Sequence, residues 1–135
     1  MNWFNKLVIF STLIIFTSNI NATGESGAQF LKIGIGARAC AMGGAYTGIA
    51  DDATSIYWNP AGLTQIDNFE LSAMQHFWLL DMSYQNLSAV LPSKYGDFGM
   101  SISYSSSGEI PNYENFEKLG TYTAYDMAVT LAYSK

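Results

Sequence analysis

Apolar and polar residues alternate one by one in four stretches of the second half of the chain. In the clearest stretch, apolar residues occupy every other position from Tyr125 to Tyr133, and the residues between them are small or polar. A two-residue period is typical of a β-strand with two chemically different faces. The other three stretches are 69–77, 84–91 and 98–105. The pattern predicts an all-β, antiparallel fold with about four strands in residues 68–135.

The apolar rows of the last two stretches begin and end with an aromatic residue. The residues between them are mostly Ser, Ala, Gly and Thr instead of Lys and Glu. A soluble β-sandwich would also alternate, but its solvated face is normally more charged. We therefore interpret the apolar rows as lipid-facing strands of a transmembrane β-barrel. The predicted lipid-facing residues are Phe98, Met100, Ile102, Tyr104, Tyr125, Met127, Val129, Leu131 and Tyr133.

The connections between the predicted strands differ in length. Residues 92–97 form a compact turn, and residues 106–123 form a longer, more charged loop. This asymmetry is usual in outer-membrane barrels, with short turns in the periplasm and long loops outside. The smallest such barrels have about eight strands, and four cannot close. We therefore expect the chain to be the amino-terminal portion of a longer barrel, in preference to one of several copies that build a barrel together.

Residues 1–22 have the layout of a secretory signal peptide. Lys6 precedes an uncharged apolar run from Leu7 to Phe16, and small and polar residues follow as far as Ala22. The run is about ten residues long, whereas a membrane-spanning helix needs roughly twenty. The sequence predicts export with cleavage after Ala22.

Charge and composition exclude several classes of function. The formal net charge is −5, with only six Lys and Arg residues among 135, so the chain has no basic surface for nucleic acid. Cys40 and His76 are the only cysteine and the only histidine, and no metal-ligand spacing or catalytic constellation surrounds either of them. The sequence predicts no enzyme, no metal and no cofactor.

A glycine motif at residues 34–39 fits the G-x-G-x-x-A pattern of dinucleotide sites, with Asp51 downstream at a suggestive distance. A dinucleotide fold needs a buried strand before the motif and a helix and parallel strand after it. The alternation that follows here is of the antiparallel type. The context therefore argues against nucleotide binding.

Residues 23–67 form a separate segment rich in Gly and Ala, which ends shortly after the turn Asn59-Pro60-Ala61-Gly62. Its glycines predict a short or interrupted helix, starting near Asp51. Asp51 or Asp52 is suited to cap that helix. A calcium site made by these aspartates and Asn59 is disfavoured, because calcium takes six to eight oxygen ligands.

The run ARACAMGGAYTGIADDATSIYWNPAGL, residues 37–63, resembles the amino-terminal signature of PorV/PorQ-like proteins, which belong with the FadL-type outer-membrane β-barrels of bacteria. The resemblance implies that this segment is a plug inside the barrel, and small side chains suit a lumen of limited width. It also implies a location in the bacterial outer membrane, in contact with its lipid. The motif residues that carry over, in a structural or gating role, are Asp51, Asp52, Asn59, Pro60, Ala61 and Gly62.

Two functions follow from the resemblance. FadL-type relatives pass hydrophobic or small solutes through the plugged barrel. PorV-like relatives serve the type IX secretion system and bind secreted protein cargo. The residues of this chain leave both functions open.

Overall fold

The computed structural model describes residues 28–114 and 116–135. The predicted signal peptide, residues 1–22, lies outside the described residues. In these described residues, two short α-helices and three 3₁₀ helices accompany six strands. The helices are α1 (Ala37–Ala41) and α2 (Ser55–Trp58), with 3₁₀ helices at Gln29–Lys32, Pro60–Gln65 and Leu79–Asp81. The strands are β1 (Glu70–Phe77), β2 (Ser83–Leu91), β3 (Asp97–Ser106), β4 (Ile110–Glu114), β5 (Glu117–Tyr122) and β6 (Tyr125–Ser134).

Four strands form one antiparallel sheet in the order β1-β2-β3-β6. These strands coincide with the four alternating stretches of the sequence, and the prediction of an all-β, antiparallel fold is confirmed. Within the described part of the chain, β1 and β6 are the two edges, and the sheet is not closed. No helix in that part is long and apolar enough to cross a membrane.

The segment between β3 and β6 contains two further strands. The prediction of a long loop at residues 106–123 was wrong, because β4 and β5 pair as a hairpin there. Their pairing shifts register between Asn112 and Tyr113. Charged and turn-forming residues interrupt the alternation of apolar and polar residues in this segment, so no two-residue period predicts the hairpin.

The register of the sheet sorts its side chains into an apolar face and a polar face. Met100 lies opposite Leu131, and Ile102 lies opposite Val129. All the residues predicted to face lipid are on this apolar face, which is largely uncovered: Leu131 is 78% exposed and Val129 is 55% exposed. The opposite face of β2, in contrast, is buried.

The buried face of the sheet packs against residues 28–67, which we call the plug segment. Ala53, Ile56, Leu63 and Ile66 form a hydrophobic cluster with Val90 of β2. Gly99 of β3 makes this packing close, because a Cβ at that position would lie 2.7 Å from Ile56 Cγ1. A second cluster, Ala39, Tyr46 and Ala50 with Met42 and Trp58, holds the plug segment together internally. The core of the described molecule therefore lies between the plug segment and one sheet face.

Candidate functional site

The Asp51 carboxylate accepts hydrogen bonds both from α1 and from the loop that follows α1. Arg38 donates from Nη1 to Asp51 Oδ1 at 2.5 Å and from Nη2 to Asp51 Oδ2 at 3.2 Å. The buried Tyr46 hydroxyl donates to the same Oδ1 at 2.8 Å, and the Arg38 guanidinium lies 5.5 Å from the centre of the Tyr46 ring. Asp51 is thus held from two directions.

The pKa values of Asp51, Arg38 and Tyr46 are all shifted at this site. Hydrogen bonds from Arg38 and Tyr46 lower the pKa of Asp51, and the carboxylate in turn raises the pKa of Arg38. Burial raises the pKa of Tyr46, and the neighbouring carboxylates raise it further. The Arg38 and Asp51 side chains are 55% and 38% exposed, so solvent screens the pair. The ion pair therefore orients the loop more than it stabilises the fold.

Asp52 has a different role from its neighbour. Its Oδ1 accepts hydrogen bonds from the backbone N–H of Thr54 at 2.8 Å and from Thr54 Oγ1 at 2.5 Å. This turn positions Thr54 immediately before α2, which begins at Ser55. The N-cap residue is Thr54, and no side chain caps the helix, so the prediction that Asp51 or Asp52 caps a helix starting near Asp51 was wrong. Asp52 holds the turn before the helix, and Asp51 binds Arg38 instead.

Asn59 connects the second half of the motif to the loop after α1. It lies in extended conformation before Pro60, as the residue before a proline prefers, and its Oδ1 accepts a hydrogen bond from the Ala61 N–H at 3.2 Å. Its Nδ2 donates to the Thr47 carbonyl at 2.9 Å. Asn59 thus caps the 3₁₀ helix Pro60–Gln65 and fastens it to a second part of the plug segment.

Gly62 brings the same 3₁₀ helix against Ala50. A Cβ at Gly62 would overlap the Ala50 carbonyl oxygen and would lie 2.8 Å from the Ala50 Cβ. Gln65 then donates from Nε2 to the Ile49 carbonyl at 2.8 Å. The predicted motif residues are therefore gathered around the loop from Tyr46 to Asp51.

This arrangement is rich in hydrogen bonds but poor in metal ligands. The described residues contain no group of three or more His, Cys, Asp or Glu side chains placed to hold a metal ion. Asp51 and Asp52 are engaged by protein donors instead. The hydrogen bonds of the motif hold the parts of the plug segment together, and the role of the motif in gating stays a prediction.

Trp58 is an anchor of the plug segment that sequence reasoning did not identify. Its Nε1 donates to the Ile35 carbonyl at 2.7 Å, and its ring packs beside Gly34 and Gly44. The ring of Tyr46 meets it edge-on, with 6.3 Å between centroids. Gly34 and Gly44, which belong to the small-residue tract of the sequence, thus leave room for the Trp58 indole ring.

A network of buried polar side chains on β2 and β3 also escaped the sequence analysis. Asn86 Nδ2 donates to Ser101 Oγ at 2.8 Å and to Ser103 Oγ at 3.0 Å. Ser88 Oγ lies 2.7 Å from Asn86 Oδ1 and 3.0 Å from Ser101 Oγ. The Tyr84 hydroxyl donates to Ser103 Oγ at 3.1 Å. We call these five residues the inner polar network.

A cavity of about 220 Å³ separates the inner polar network from the plug segment. The plug segment contributes apolar and aromatic side chains to its wall, and the sheet contributes hydroxyl groups. The lining residues are Leu31, Ile35, Ile56, Tyr57, Tyr84, Ser101, Ser103 and Thr130. No charged side chain is among them. The cavity therefore combines an apolar side with an uncharged polar side.

The chain was compared with known families, curated proteins and solved structures. Residues 13–133 match the family model described as Uncharacterised protein family (UPF0164). No curated protein and no solved structure matches the chain. These comparisons name neither PorV/PorQ-like nor FadL-type proteins, so that resemblance stays a prediction. Because the match spans most of the sequence, the chain belongs to Uncharacterised protein family (UPF0164).

Proposed function

We propose that the chain supplies wall strands and plug of a bacterial outer-membrane β-barrel, and that this barrel is a FadL-type channel for hydrophobic or small solutes. The observation that carries the proposal is the contrast between the two faces of the four-stranded sheet. One face is apolar and largely uncovered, and the other is polar in its middle and is covered by the plug segment over β2 and β3.

The uncovered face is suited to lipid. Its rows run across the sheet, for example from Leu71 through Ala89 and Met100 to Leu131. Soluble proteins rarely expose apolar patches larger than about 600 Å², because such surfaces associate or aggregate in water. Contact with hydrocarbon chains removes that cost. Aromatic residues at the row ends, such as Tyr125 and Tyr133, suit the two membrane interfaces.

The polar face is suited to a channel lumen. Its central row consists of Ser72, Ser88, Ser101 and Thr130, which lie opposite one another on neighbouring strands. These hydroxyls are uncharged, so they place no fixed charge in the path of an apolar solute. Backbone groups at an open sheet edge in lipid cost several kcal/mol each, and the proposed state is therefore a closed barrel with strands beyond these four.

The plug segment is suited to a gate. It covers the lumen face through Ile56 and Leu63, and its own fold depends on local contacts such as Asn59 with Thr47. A compact segment with its own hydrogen bonds can shift as a unit and leave the sheet intact. Solute passage in this proposal requires that the plug segment moves away from β3.

The alternative, a PorV-like component that binds secreted protein cargo, is supported by the β4–β5 hairpin. This hairpin joins the ends of β3 and β6 that lie opposite the 92–97 turn, on the predicted outer side. It exposes several large apolar side chains, namely Tyr113, Phe116, Leu119 and Tyr122. Such a surface is suited to contact with a protein.

The test uses the native protein, purified from isolated outer membranes. We expect its gel mobility to change on boiling, as that of a closed barrel does, and its intact mass to exceed that of this chain. In liposomes it should carry uncharged apolar solutes, and the loosened plug of Gly62→Ala should raise the flux. A protein recovered from the soluble periplasm would contradict the barrel. A membrane protein without flux in either form would contradict the channel and favour the cargo-binding alternative.

A further inference from the structure

The hydrogen bonds of the inner polar network leave one proton without an acceptor. Asn86 brings two N–H protons, and Ser88, Ser101, Ser103 and Tyr84 bring one O–H proton each. These six protons serve five contacts among the side chains of the network. Asn86 Nδ2 also lies 3.4 Å from the Ile102 carbonyl oxygen. This longer contact shares one of the two Asn86 protons, so it does not change the count.

The surplus proton can be located. Ser88 has one proton and its shorter contact is to Asn86 Oδ1, so the contact between Ser88 and Ser101 uses the proton of Ser101. The two protons of Asn86 go to Ser101 Oγ and Ser103 Oγ. The contact between Tyr84 and Ser103 uses one of their two hydroxyl protons. The remaining donor is therefore the Ser103 or the Tyr84 hydroxyl.

Ser103 and Tyr84 are both among the residues that line the cavity under the plug segment. Neither hydroxyl has a further acceptor among the described residues. A buried donor without an acceptor costs about 1 to 3 kcal/mol. The cavity thus presents an uncharged O–H donor on the sheet side and apolar side chains, such as Ile35 and Ile56, on the plug side.

We propose that this cavity is a binding site for small, neutral molecules that carry an acceptor oxygen on an apolar body. The oxygen would accept the proton of Ser103 or Tyr84, and the apolar body would pack against Ile35 and Ile56. This site rests on the proposed channel function, and it adds the class of solute that binds beneath the plug segment.

Charge and size define this class. A carboxylate could accept the same proton, but its charge would have no cationic partner among the lining residues and would be costly to bury. An apolar cavity of about 150 Å³ holds one benzene molecule, so a cavity of about 220 Å³ has room for about nine heavy atoms. Acetophenone fits this description. Ethylbenzene lacks the oxygen, and benzoate carries the charge.

The experiment measures binding of these three probes to the native protein from outer membranes, by saturation-transfer NMR with competition. We expect acetophenone to bind about fivefold more tightly than ethylbenzene, the ratio that one hydrogen bond supplies. Benzoate should bind at least a hundredfold more weakly than acetophenone. Equal affinities for acetophenone and ethylbenzene, or for acetophenone and benzoate, would overturn the proposal.

Three variants locate the site. The double variant Ser103→Ala/Tyr84→Phe, which removes both candidate donors, should remove the preference for acetophenone, whereas Ser88→Ala, in the same network but outside the cavity lining, should keep it. Leu31→Trp places a larger side chain on the cavity wall and should abolish binding of both neutral probes. A preference that survives in Ser103→Ala/Tyr84→Phe, or binding that survives in Leu31→Trp, would overturn the site.

Binding and flux together separate the two proposals. Solute flux without selective acetophenone binding would overturn this inference and leave the channel standing. Selective binding without flux would overturn the channel and leave the neutral-ligand site standing.

Discussion

Gly62 lies directly against the main chain of Ala50, so closely that any side chain at position 62 would overlap the Ala50 carbonyl. This contact joins the Asn-Pro-Ala-Gly turn to the residue immediately before Asp51. Two sequence motifs that are separated along the chain therefore form one compact unit, and that unit covers the inner face of the sheet.

Gly62→Ala should loosen the plug segment. The added methyl group must displace backbone, and such overpacking costs about 1 to 3 kcal/mol. The measurement is the rate of protease cleavage within the plug segment of the purified protein, which should rise. Gly48→Ala is the matched control, because nothing lies within 4 Å of a Cβ at Gly48. Equal cleavage rates for the two variants would show that the contact with Ala50 is unimportant.

Asn59 makes two separable contacts, so two substitutions should have graded effects. Asn59→Ala loses both the cap to Ala61 and the bond to Thr47, and caps of this kind contribute about 1 kcal/mol. Asn59→Asp keeps an acceptor for the Ala61 N–H and loses only the donor to Thr47. Thermal unfolding monitored through Trp58 should rank wild type above Asn59→Asp and Asn59→Asp above Asn59→Ala. The reverse order of the two variants would argue against the capping role.

The hydrogen bonds that Arg38 and Tyr46 donate to Asp51 should weaken in acid. Arg38 and Tyr46 lower the pKa of Asp51 in the folded protein, so their contribution is complete above the pKa of an unfolded aspartate, about 3.9. It is lost as the pH falls through the lower, folded pKa. Protease cleavage of the plug segment should therefore accelerate in that acidic window. In Arg38→Gln the folded pKa of Asp51 lies closer to the unfolded value, so the acceleration in acid should be smaller, and an unchanged pH profile would contradict the assignment.

Lysine substitutions on the two faces of β6 should differ in their effect on membrane insertion. Val129→Lys places a charge on the apolar face, at a cost of about 2 to 4 kcal/mol near mid-membrane. Thr130→Lys, one residue further, points to the other face and should be milder. The amount of each variant recovered in the outer membrane measures the difference. Equal losses would contradict the proposed orientation of the sheet.

The strands were the part of the fold that the sequence could predict. β6 was predicted from residues 125 to 134 because its two faces differ so sharply in chemistry, and the structure places its ends at Tyr125 and Ser134. The β4–β5 hairpin was missed because both of its strands are short and largely exposed, which leaves no apolar row to detect.

The candidate site was less predictable, because its contacts join residues that are far apart in the chain. Trp58 bonds to Ile35, and Ile56 requires the missing side chain of Gly99. Nothing local in the sequence signals either pairing. Serines such as Ser101 were also ambiguous, because a buried serine and a solvated one look alike until the plug segment is seen to cover them.

The most direct test of the account is a spin-label scan of β6 in native outer membranes. Single cysteines are introduced from Met127 to Leu131 in a Cys40→Ser background, and each label is exposed in turn to molecular oxygen, which concentrates in lipid, and to a water-soluble nickel complex. The account predicts a two-residue period, with labels at 127, 129 and 131 accessible to oxygen and protected from nickel. Labels on this row that are accessible to nickel, or a scan without the period, would contradict the claim that the apolar face of the sheet lies in lipid.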